Sequence, residues 1–221
     1  MPHDDPSLKE YYAARAREYE RVYEKPERQS DLRQLEALLP SLFAGRRLLD
    51  IACGTGYWTQ YLAREAKAIV GVDATAETLE VASEKPWPAG RVGFRVADAY
   101  ALPDDLGVFD AAFAGFWWSH ILVRDRQRFL SSLDRRLAPG ATVAFLDNLF
   151  IEGNSTPIAH RDPDGNTYQR RGLDNGTEHI VLKNFPSETE LRTDIADFGR
   201  NMRYTRLQYY WLFSYEKRST A

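Results

Sequence analysis

Cysteine is nearly missing from this sequence, and methionine is scarce. The 221 residues include one cysteine and two methionines. A single cysteine excludes an intramolecular disulfide and any zinc site built from several cysteines. We therefore expect neither a disulfide framework nor a metal site in this protein.

Long apolar runs and a basic leader are missing as well. The most apolar segment, residues 109–118, is too short to cross a bilayer, and the first five residues contain no basic region followed by an apolar core. The net charge of -3 argues against a nucleic-acid polyanion as an obligatory partner. We expect a cytoplasmic protein, monomeric or homodimeric, with neither membrane nor nucleic acid among its partners.

What is present is the composition of an ordinary globular protein, with 43% hydrophobic and 28% charged residues. The length suits one domain with a lid or an insertion, and it is too short for two catalytic domains. We expect a single domain over 1–221 in four parts: an N-terminal helical lid at 1–44, a core at 45–149, a β-hairpin insertion at 150–186, and a C-terminal helix with two strands at 187–221.

Apolar strand-like segments alternate with helical segments through the core. This alternation predicts an α/β fold with a parallel, doubly wound sheet and helices on both faces. Right-handed crossovers then place the carboxyl ends of neighbouring strands along one edge. Pro40 and the pair Pro139-Gly140 are expected to stop the helices before them. We predict strands at 47–52, 68–72, 92–97, 108–114 and 142–147, and helices at 29–39, 57–66, 76–84, 125–137 and 188–199.

Residues 48–56, L-L-D-I-A-C-G-T-G, carry the strongest local signal. They predict a buried strand, a small-residue turn and the start of a helix, which is the unit that holds nucleotides in α/β sheets. The G-x-G-x-x-G fingerprint of dinucleotide sites is not matched, because the chain has Ala52-x-Gly54-x-Gly56 followed by Trp58 and Thr59. Two further acids, Asp73 and Asp98, end the next two predicted strands.

Three segments together resemble a known cofactor site. D-I-A-C-G-T-G at 50–56, V-G-V-D at 70–73 and V-A-D-A at 96–99 are similar, in order and spacing, to the cofactor-binding series of class I S-adenosylmethionine-dependent methyltransferases. The resemblance covers residues 45–147 and is to the branch that methylates small molecules such as quinone precursors and phosphoethanolamine. It implies S-adenosyl-L-methionine (SAM) as cofactor, S-adenosyl-L-homocysteine (SAH) as product, and a Rossmann-like, seven-stranded sheet with an antiparallel last strand.

The resemblance also implies roles for the polar strand ends. Asp50 is expected to hold the N–H groups of the turn and, through them or a water, the ammonium of the methionine moiety. Asp73 is expected to bind two ribose hydroxyls, and Asp98 to accept a hydrogen bond from the adenine amino group. Ala52 stands where the family usually has its first glycine. The predicted cofactor-binding residues are Tyr12, Tyr19, Asp50, Ala52, Cys53, Gly54, Trp58, Asp73, Ala74, Asp98, Ala99, Phe116 and Trp117.

Two residues are candidates for acid–base catalysis. His120 follows the fourth strand, where the acceptor must lie, although it could equally cap the following helix. Tyr19 belongs to a tyrosine stripe on a helix predicted at 7–24, and this stripe is either a packing face or a lid over the cofactor. Aromatic faces attract a sulfonium cation, so we expect three aromatic side chains to surround the reactive methyl group: Tyr19, Phe116 and Trp117.

The sequence predicts an enzyme that transfers a methyl group from SAM to an oxygen or nitrogen nucleophile of a small molecule. The segment after the fourth strand lacks the Asp/Asn-Pro-Pro-aromatic motif of adenine and glutamine methyltransferases, which disfavours those acceptors. The alternatives are a protein or RNA methyltransferase, a SAM-binding protein without turnover, and a nicotinamide oxidoreductase. Four residues of the insertion are expected to lie in solvent unless the hairpin folds over the pocket: His160, Tyr168, Arg170 and His179.

Overall fold

The computed structural model describes residues 19–172 and 176–219. Most of the predicted N-terminal helix, including Tyr12, lies outside these residues. The described part begins with a 3-10 turn, Tyr19–Tyr23, rather than an α-helix. Tyr19 is described by its backbone only, so the role predicted for its side chain also lies outside the described structure.

A mixed sheet of seven strands forms the centre of the fold. The strands of the described chain are β1 Arg47–Ile51, β2 Ala68–Asp73, β3 Val92–Val96, β4 Phe109–Gly115, β5 Leu137–Asn148, β6 Ile158–Arg161, β7 Thr167–Gly172, β8 Glu178–Leu182, β9 Gly199–Arg206 and β10 Tyr210–Lys217. The large sheet has the order β3-β2-β1-β4-β5-β10-β9. Strands β1 to β5 are parallel, and β10 lies antiparallel between β5 and β9. The predicted Rossmann-like sheet with an antiparallel last strand is therefore confirmed.

Helices pack with this sheet to form two hydrophobic clusters. The α-helices of the described chain are α1 Gln29–Leu42, α2 Tyr57–Leu62, α3 Ala76–Ser83, α4 Arg126–Asp134 and α5 Glu188–Ile195. Successive strand residues point to opposite faces, so Leu48 joins the cluster that contains α1 and α2, whereas Leu49 joins the cluster that contains α4 and α5. Both leucines are fully buried. Over the described ranges, no helix is long and apolar enough to cross a membrane.

We predicted that the helix at 29–39 stops at Pro40. This is wrong, because α1 continues through Pro40 to Leu42. A proline removes one N–H donor from a helix, and its fixed φ is itself helical. Pro40 lies close to the end of α1, so the missing N–H donor costs little there. The Pro40 carbonyl still accepts a hydrogen bond from the Phe43 N–H at 3.1 Å.

The predicted break at Pro139-Gly140 lies inside β5 rather than before it. β5 pairs with β4 on both sides of this break, through Leu137 before it and Thr142 after it. The residues between them leave the regular register, as in a β-bulge. Gly140 has a φ of 75°, which glycine adopts without strain.

The insertion between β5 and α5 forms a second sheet with the order β6-β7-β8. β7 and β8 pair antiparallel where we predicted the two strands of a hairpin. We did not predict β6, since its four residues are too few to show an alternating pattern. The Asn184 N–H, just beyond β8, donates to the Ser119 carbonyl at 2.8 Å, so the insertion lies against the carboxyl edge of the main sheet.

Candidate active site

A cleft of about 380 Å³ opens at the carboxyl edge of the main sheet. Asp50 lies in β1, Asp73 ends β2 and Asp98 follows β3, and the parallel register of these strands brings all three to the cleft. The other described residues of the predicted site also line it: Ala52, Cys53, Gly54, Trp58, Ala74, Ala99, Phe116, Trp117 and His120.

The turn after β1 owes its shape to three alternate residues with left-handed backbones. Ala52, Gly54 and Gly56 have φ angles of 51°, 54° and 75°. A Cβ on Gly56 would also lie 3.1 Å from the Trp87 ring. Both the left-handed φ and this close contact therefore favour glycine at this position. Ala52 adopts the same region with a Cβ, at a cost of about 1 kcal/mol.

The carboxylate that holds the turn is Asp73, not Asp50 as we predicted. The Gly54 N–H donates to Asp73 Oδ2 at 2.9 Å, and the Thr75 N–H donates to Oδ1 at 2.9 Å. Asp50 Oδ2 instead accepts from the Thr59 hydroxyl at 2.6 Å. The reason is position, since Asp73 ends the neighbouring strand and faces the turn directly.

Asp50 is almost fully buried, and this burial brings the pKa of its carboxyl group close to neutral pH. Burial raises the pKa of Asp50 to about 7, helped by the nearby Asp73 and opposed by the hydrogen bond from Thr59. A cation brought to this carboxylate would lower that pKa again. The cleft thus contains a carboxyl group that a cationic ligand would ionise.

Asp98 and Trp117 lie at the third strand end. Asp98 caps the short 3-10 turn that follows it, because its Oδ1 accepts from the Tyr100 N–H at 2.8 Å. The Trp117 ring packs edge-on against Tyr100 at 5.7 Å and lines this cleft. Trp118 is buried among core aromatics instead, with 1% of its surface exposed.

A second pocket of about 380 Å³ adjoins the first. Tyr23, Phe116 and His120 line both pockets and so form the boundary between them. The remaining walls of the second pocket come from the segment before α1, the end of β5, the insertion and Tyr210 at the start of β10. Trp117, which we expected beside the reactive group, lines only the first cleft.

The boundary is built from packed aromatic rings. Tyr23 stacks on Tyr57 with ring centres 3.7 Å apart and lies 5.8 Å from Phe116. Phe116 has a φ of 59°, a left-handed conformation that costs an aromatic residue about 1 to 2 kcal/mol. Strain of this kind concentrates at functional sites. We had not predicted Tyr23 as a site residue, although the tyrosine stripe that contains it was the available signal.

His120 is held in one tautomer. Its ring is 5% exposed, and Nδ1 lies 2.7 Å from the Leu182 carbonyl oxygen. A carbonyl only accepts, so Nδ1 carries the proton and the neutral ring has its lone pair on Nε2. Burial, with the positive charges of Lys183 and Arg171, lowers the pKa of His120 well below its ordinary value. The histidine therefore bonds the insertion and does not cap the following helix.

A buried ion pair fixes the insertion behind His120. Lys183 Nζ lies 2.9 Å from Asp147 Oδ1 on β5 and donates to the Ser119 hydroxyl at 2.6 Å. The other carboxylate oxygen, Oδ2, accepts from the Ser119 N–H at 2.9 Å. Burial opposes ionisation of Asp147, but the Lys183 ammonium holds the pKa of this carboxyl below its ordinary value. The pair thus joins Ser119, the residue before His120, to the sheet and to the insertion.

The hairpin folds over the site, which is the alternative that the sequence left open for Tyr168. Tyr168 and Leu182 line the first cleft. The cause is a buried polar seam, in which Asn184 Nδ2 donates to the Ile121 carbonyl at 2.9 Å. Such long-range contacts leave no local pattern in sequence. Arg170 does remain exposed, beside the second pocket.

Comparison with known families locates the similarity in the core. A family described as a methyltransferase domain matches residues 48–140. The chain is 38% identical over 110 residues to a 2-phytyl-1,4-naphtoquinone methyltransferase of Nostoc punctiforme, covering 47% of each chain. It is 33% identical over 133 residues to an O-methyltransferase of Pyrenophora dematioidea, covering 58% of this chain and 48% of the relative. The chain thus spans about half the length of these curated relatives.

A solved structure matches over nearly the whole length. The complex of DhpI with SAM and HEP has a TM-score of 0.79 and 27% sequence identity, and the match covers 98% of this chain and 99% of that one. The DhpI–SAH complex gives a TM-score of 0.76 at 26% identity, with 97% of both chains covered.

The buried ion pair can be tested through stability. Replacing Lys183 by methionine leaves Asp147 charged and unpaired in the interior, so we expect Lys183→Met to lower the free energy of unfolding by about 3 to 5 kcal/mol. Arg192→Met removes the exposed partner of Glu188 and should cost under about 0.5 kcal/mol. Urea unfolding followed by circular dichroism measures both variants. Equal, small losses would mean that the pair does not anchor the insertion.

Proposed function

We propose that this chain, which belongs to the class I SAM-dependent methyltransferases, transfers a methyl group from SAM to an oxygen or nitrogen atom of a small molecule. The observation that carries this proposal is the meeting of two pockets at Tyr23, Phe116 and His120. One pocket has the turn and strand-end acids of a cofactor site. The other is large enough for a small acceptor and opens directly beside it.

The first cleft suits SAM by its donor set. Asp73, with two carboxylate oxygens at a strand end, is the proposed ligand of the two ribose hydroxyls. Asp98, whose Oδ1 caps the following turn, has a second oxygen for the adenine amino group. Asp50 is placed to balance the ammonium of the methionine moiety. Gly54 has no atom within 4 Å of where a Cβ would stand, so the backbone lies open to the cofactor. DhpI, which is similar along nearly its whole length, has been solved with SAM and with SAH.

The boundary residues would then surround the reacting atoms. When bound, SAM supplies a methyl group whose bond to sulfur breaks as its bond to the acceptor forms, leaving SAH and, from a hydroxyl acceptor, one proton. Phe116 and Tyr23 provide aromatic faces that attract a cation and exclude water. His120, neutral and with its lone pair on Nε2, is the proposed base for that proton.

Holding the acceptor in line would supply most of the rate. A fixed geometry at near-contact distance converts a bimolecular step into an effectively unimolecular one. The insertion and the aromatic boundary perform this task in our proposal. We further propose that the enzyme acts in the cytoplasm, as a monomer or a homodimer, and that nucleic acid is not its acceptor, as the net charge of -3 favours.

Cofactor binding tests the first half of this proposal. Asp73→Ala should weaken SAH binding about tenfold or more, because a carboxylate that accepts from two hydroxyls is lost. Asp197→Ala, which removes an exposed acid elsewhere, should bind SAH as the wild type does. Isothermal titration calorimetry with SAH, and with NAD as the negative comparison, measures these affinities. Tight NAD binding without SAH binding would overturn the proposed cofactor.

The high pKa of Asp50 predicts a pH dependence of cofactor affinity. SAH carries an ammonium group, and only ionised Asp50 attracts it. The pKa of Asp50 is about 7, so below pH 7 this carboxyl group must lose a proton when SAH binds. The affinity for SAH should therefore fall about tenfold from pH 8 to pH 6. Asp50→Asn should bind more weakly and with a nearly flat profile over this range. A wild-type profile as flat as that of the variant would show that Asp50 does not bind the ammonium group.

Transfer of tritiated methyl from SAM into the small molecules of a cell extract tests catalysis. His120→Gln should lower the transfer rate about 100- to 10,000-fold while leaving SAH affinity unchanged. Because the pKa of His120 lies well below 6.5, the wild-type rate at saturating SAM should be constant above about pH 6.5 and fall only in more acidic solution. Label in macromolecules, or a fully active His120→Gln, would contradict the proposal.

A further inference from the structure

A single hydroxyl group holds the most buried acid of the first cleft. Thr59 Oγ1 donates to Asp50 Oδ2 at 2.6 Å, and both residues are buried, with 0% and 1% of their surfaces exposed. Among the described residues, this is the hydrogen bond that the structure gives to the Asp50 carboxylate. Because the hydroxyl occupies Oδ2, the other oxygen, Oδ1, is left for the cleft that Asp50 lines.

Asp73, the neighbouring acid, is held in a different way. Its two oxygens accept from the backbone N–H groups of Gly54 and Thr75, each at 2.9 Å. A backbone donor stays in place whichever side chain its residue carries. The position of the Asp50 carboxylate depends instead on one side chain, which a substitution can remove.

The bond from Thr59 differs from what a threonine commonly does in a helix. A serine or threonine hydroxyl in a helix commonly donates to the backbone carbonyl three or four residues earlier. Ser83 on α3 and Thr193 on α5 do so here, at 2.7 and 2.9 Å. Thr59 lies in the first turn of α2, and its hydroxyl bonds across to Asp50 on β1. The hydroxyl therefore connects the helix after the cofactor turn with the strand before it.

The other groups around Asp50 do not favour its charge. From β2, the Asp73 carboxylate repels a charge on Asp50, and from β4 the register partner Phe113 contributes none. The Cys53 thiol stays neutral, because burial and the two carboxylates raise its pKa. His120 shares the cleft, but its pKa lies well below 6.5. Against burial and this repulsion, the hydroxyl group favours the ionised carboxylate.

We propose that Thr59 is a positioning residue of the cofactor site, whose hydroxyl group holds the Asp50 carboxylate with Oδ1 toward the ammonium of the methionine moiety. This inference rests on the proposed methyltransferase function and adds a residue to its cofactor half. The length of 2.6 Å is typical of a hydroxyl bonded to a carboxylate, a bond about twice as strong as one between neutral groups. Thr59 acts through Asp50 and is not itself a ligand of the cofactor.

Proton release on SAH binding tests this role. Thr59→Val keeps the size of the side chain but removes the donor, so the pKa of Asp50 should rise by about one unit. More of the free protein is then protonated at pH 7 and must lose that proton to the buffer when SAH binds. The wild type should release about half a proton per SAH at pH 7, and Thr59→Val about nine-tenths. Calorimetry in phosphate and in Tris, whose ionisation enthalpies differ, counts these protons.

The affinity for SAH should follow the same pattern. At pH 7, Thr59→Val should bind SAH about fivefold or more weakly than the wild type, and the difference should narrow as the pH rises to 8.5. Thr59→Ser keeps the hydroxyl group and should behave as the wild type in affinity and in proton release. Thr193→Val removes an exposed helical hydroxyl elsewhere and should also behave as the wild type.

A double substitution tests whether Thr59 acts through Asp50. Asp50→Asn carries no charge for the hydroxyl group to stabilise, so adding Thr59→Val to it should change the SAH affinity by less than about twofold. A further large loss would show that Thr59 affects the cofactor by another route and would contradict the inference.

The outcomes separate this inference from the proposed function. Wild-type proton release in Thr59→Val, or a loss of affinity that is equal at every pH, would overturn the role of Thr59, because loosened packing alone produces such a result. If Thr59→Val does not fold, Thr59→Ala removes the same donor and should show the same rise in proton release. A wild type that fails to bind SAH would instead overturn the proposed function itself.

Discussion

The ion pair between Lys183 and Asp147 is the interaction on which the rest of the site depends. Asp147 lies on β5 of the main sheet and Lys183 lies at the end of the insertion, so the pair joins the two halves that face each other across the pockets. A buried pair contributes little net stability, since desolvation offsets the attraction. Its value is in specificity, because any docking of the hairpin that separated the two charges would leave both unpaired. The same pair holds Ser119, and through the chain it sets where His120 stands.

Strain marks the two places where the backbone approaches the reacting groups. Ala52 in the cofactor turn and Phe116 at the boundary both adopt left-handed conformations that L-residues avoid. At Phe116 the packing supplies the compensation, since the Phe116 N–H donates to the Leu146 carbonyl at 2.6 Å and the ring contacts Tyr23 and Tyr210. A side chain held against its preference by several neighbours has one position only. That rigidity suits a residue that separates two ligands.

Sequence predicted the parts of the fold whose signals are local. The acids Asp50, Asp73 and Asp98 were predicted because each lies in or just after the end of an apolar strand, and parallel topology alone brings them together. The breaks at Pro40 and Pro139 were misplaced because both prolines are tolerated inside an element. Pro40 lies near the end of its helix, and Pro139 lies where the register of β5 shifts. Of the second pocket, only Phe116 and His120 were predicted. This pocket is assembled by hydrogen bonds between residues more than a hundred positions apart, such as Arg28 with Asn148, and no periodicity encodes such contacts.

The cations that line the second pocket also determine what kind of base His120 would be in the proposed reaction. Lys183 and Arg171 stabilise the neutral imidazole, so the ring is always ready to accept a proton but attracts it weakly. A hydroxyl group is a poor acid before the reaction and a strong one once its oxygen has begun to bond the methyl group. A weak base therefore removes the proton late, when little basicity is needed. In our proposal, a base of this kind disfavours any acceptor that must be deprotonated before attack.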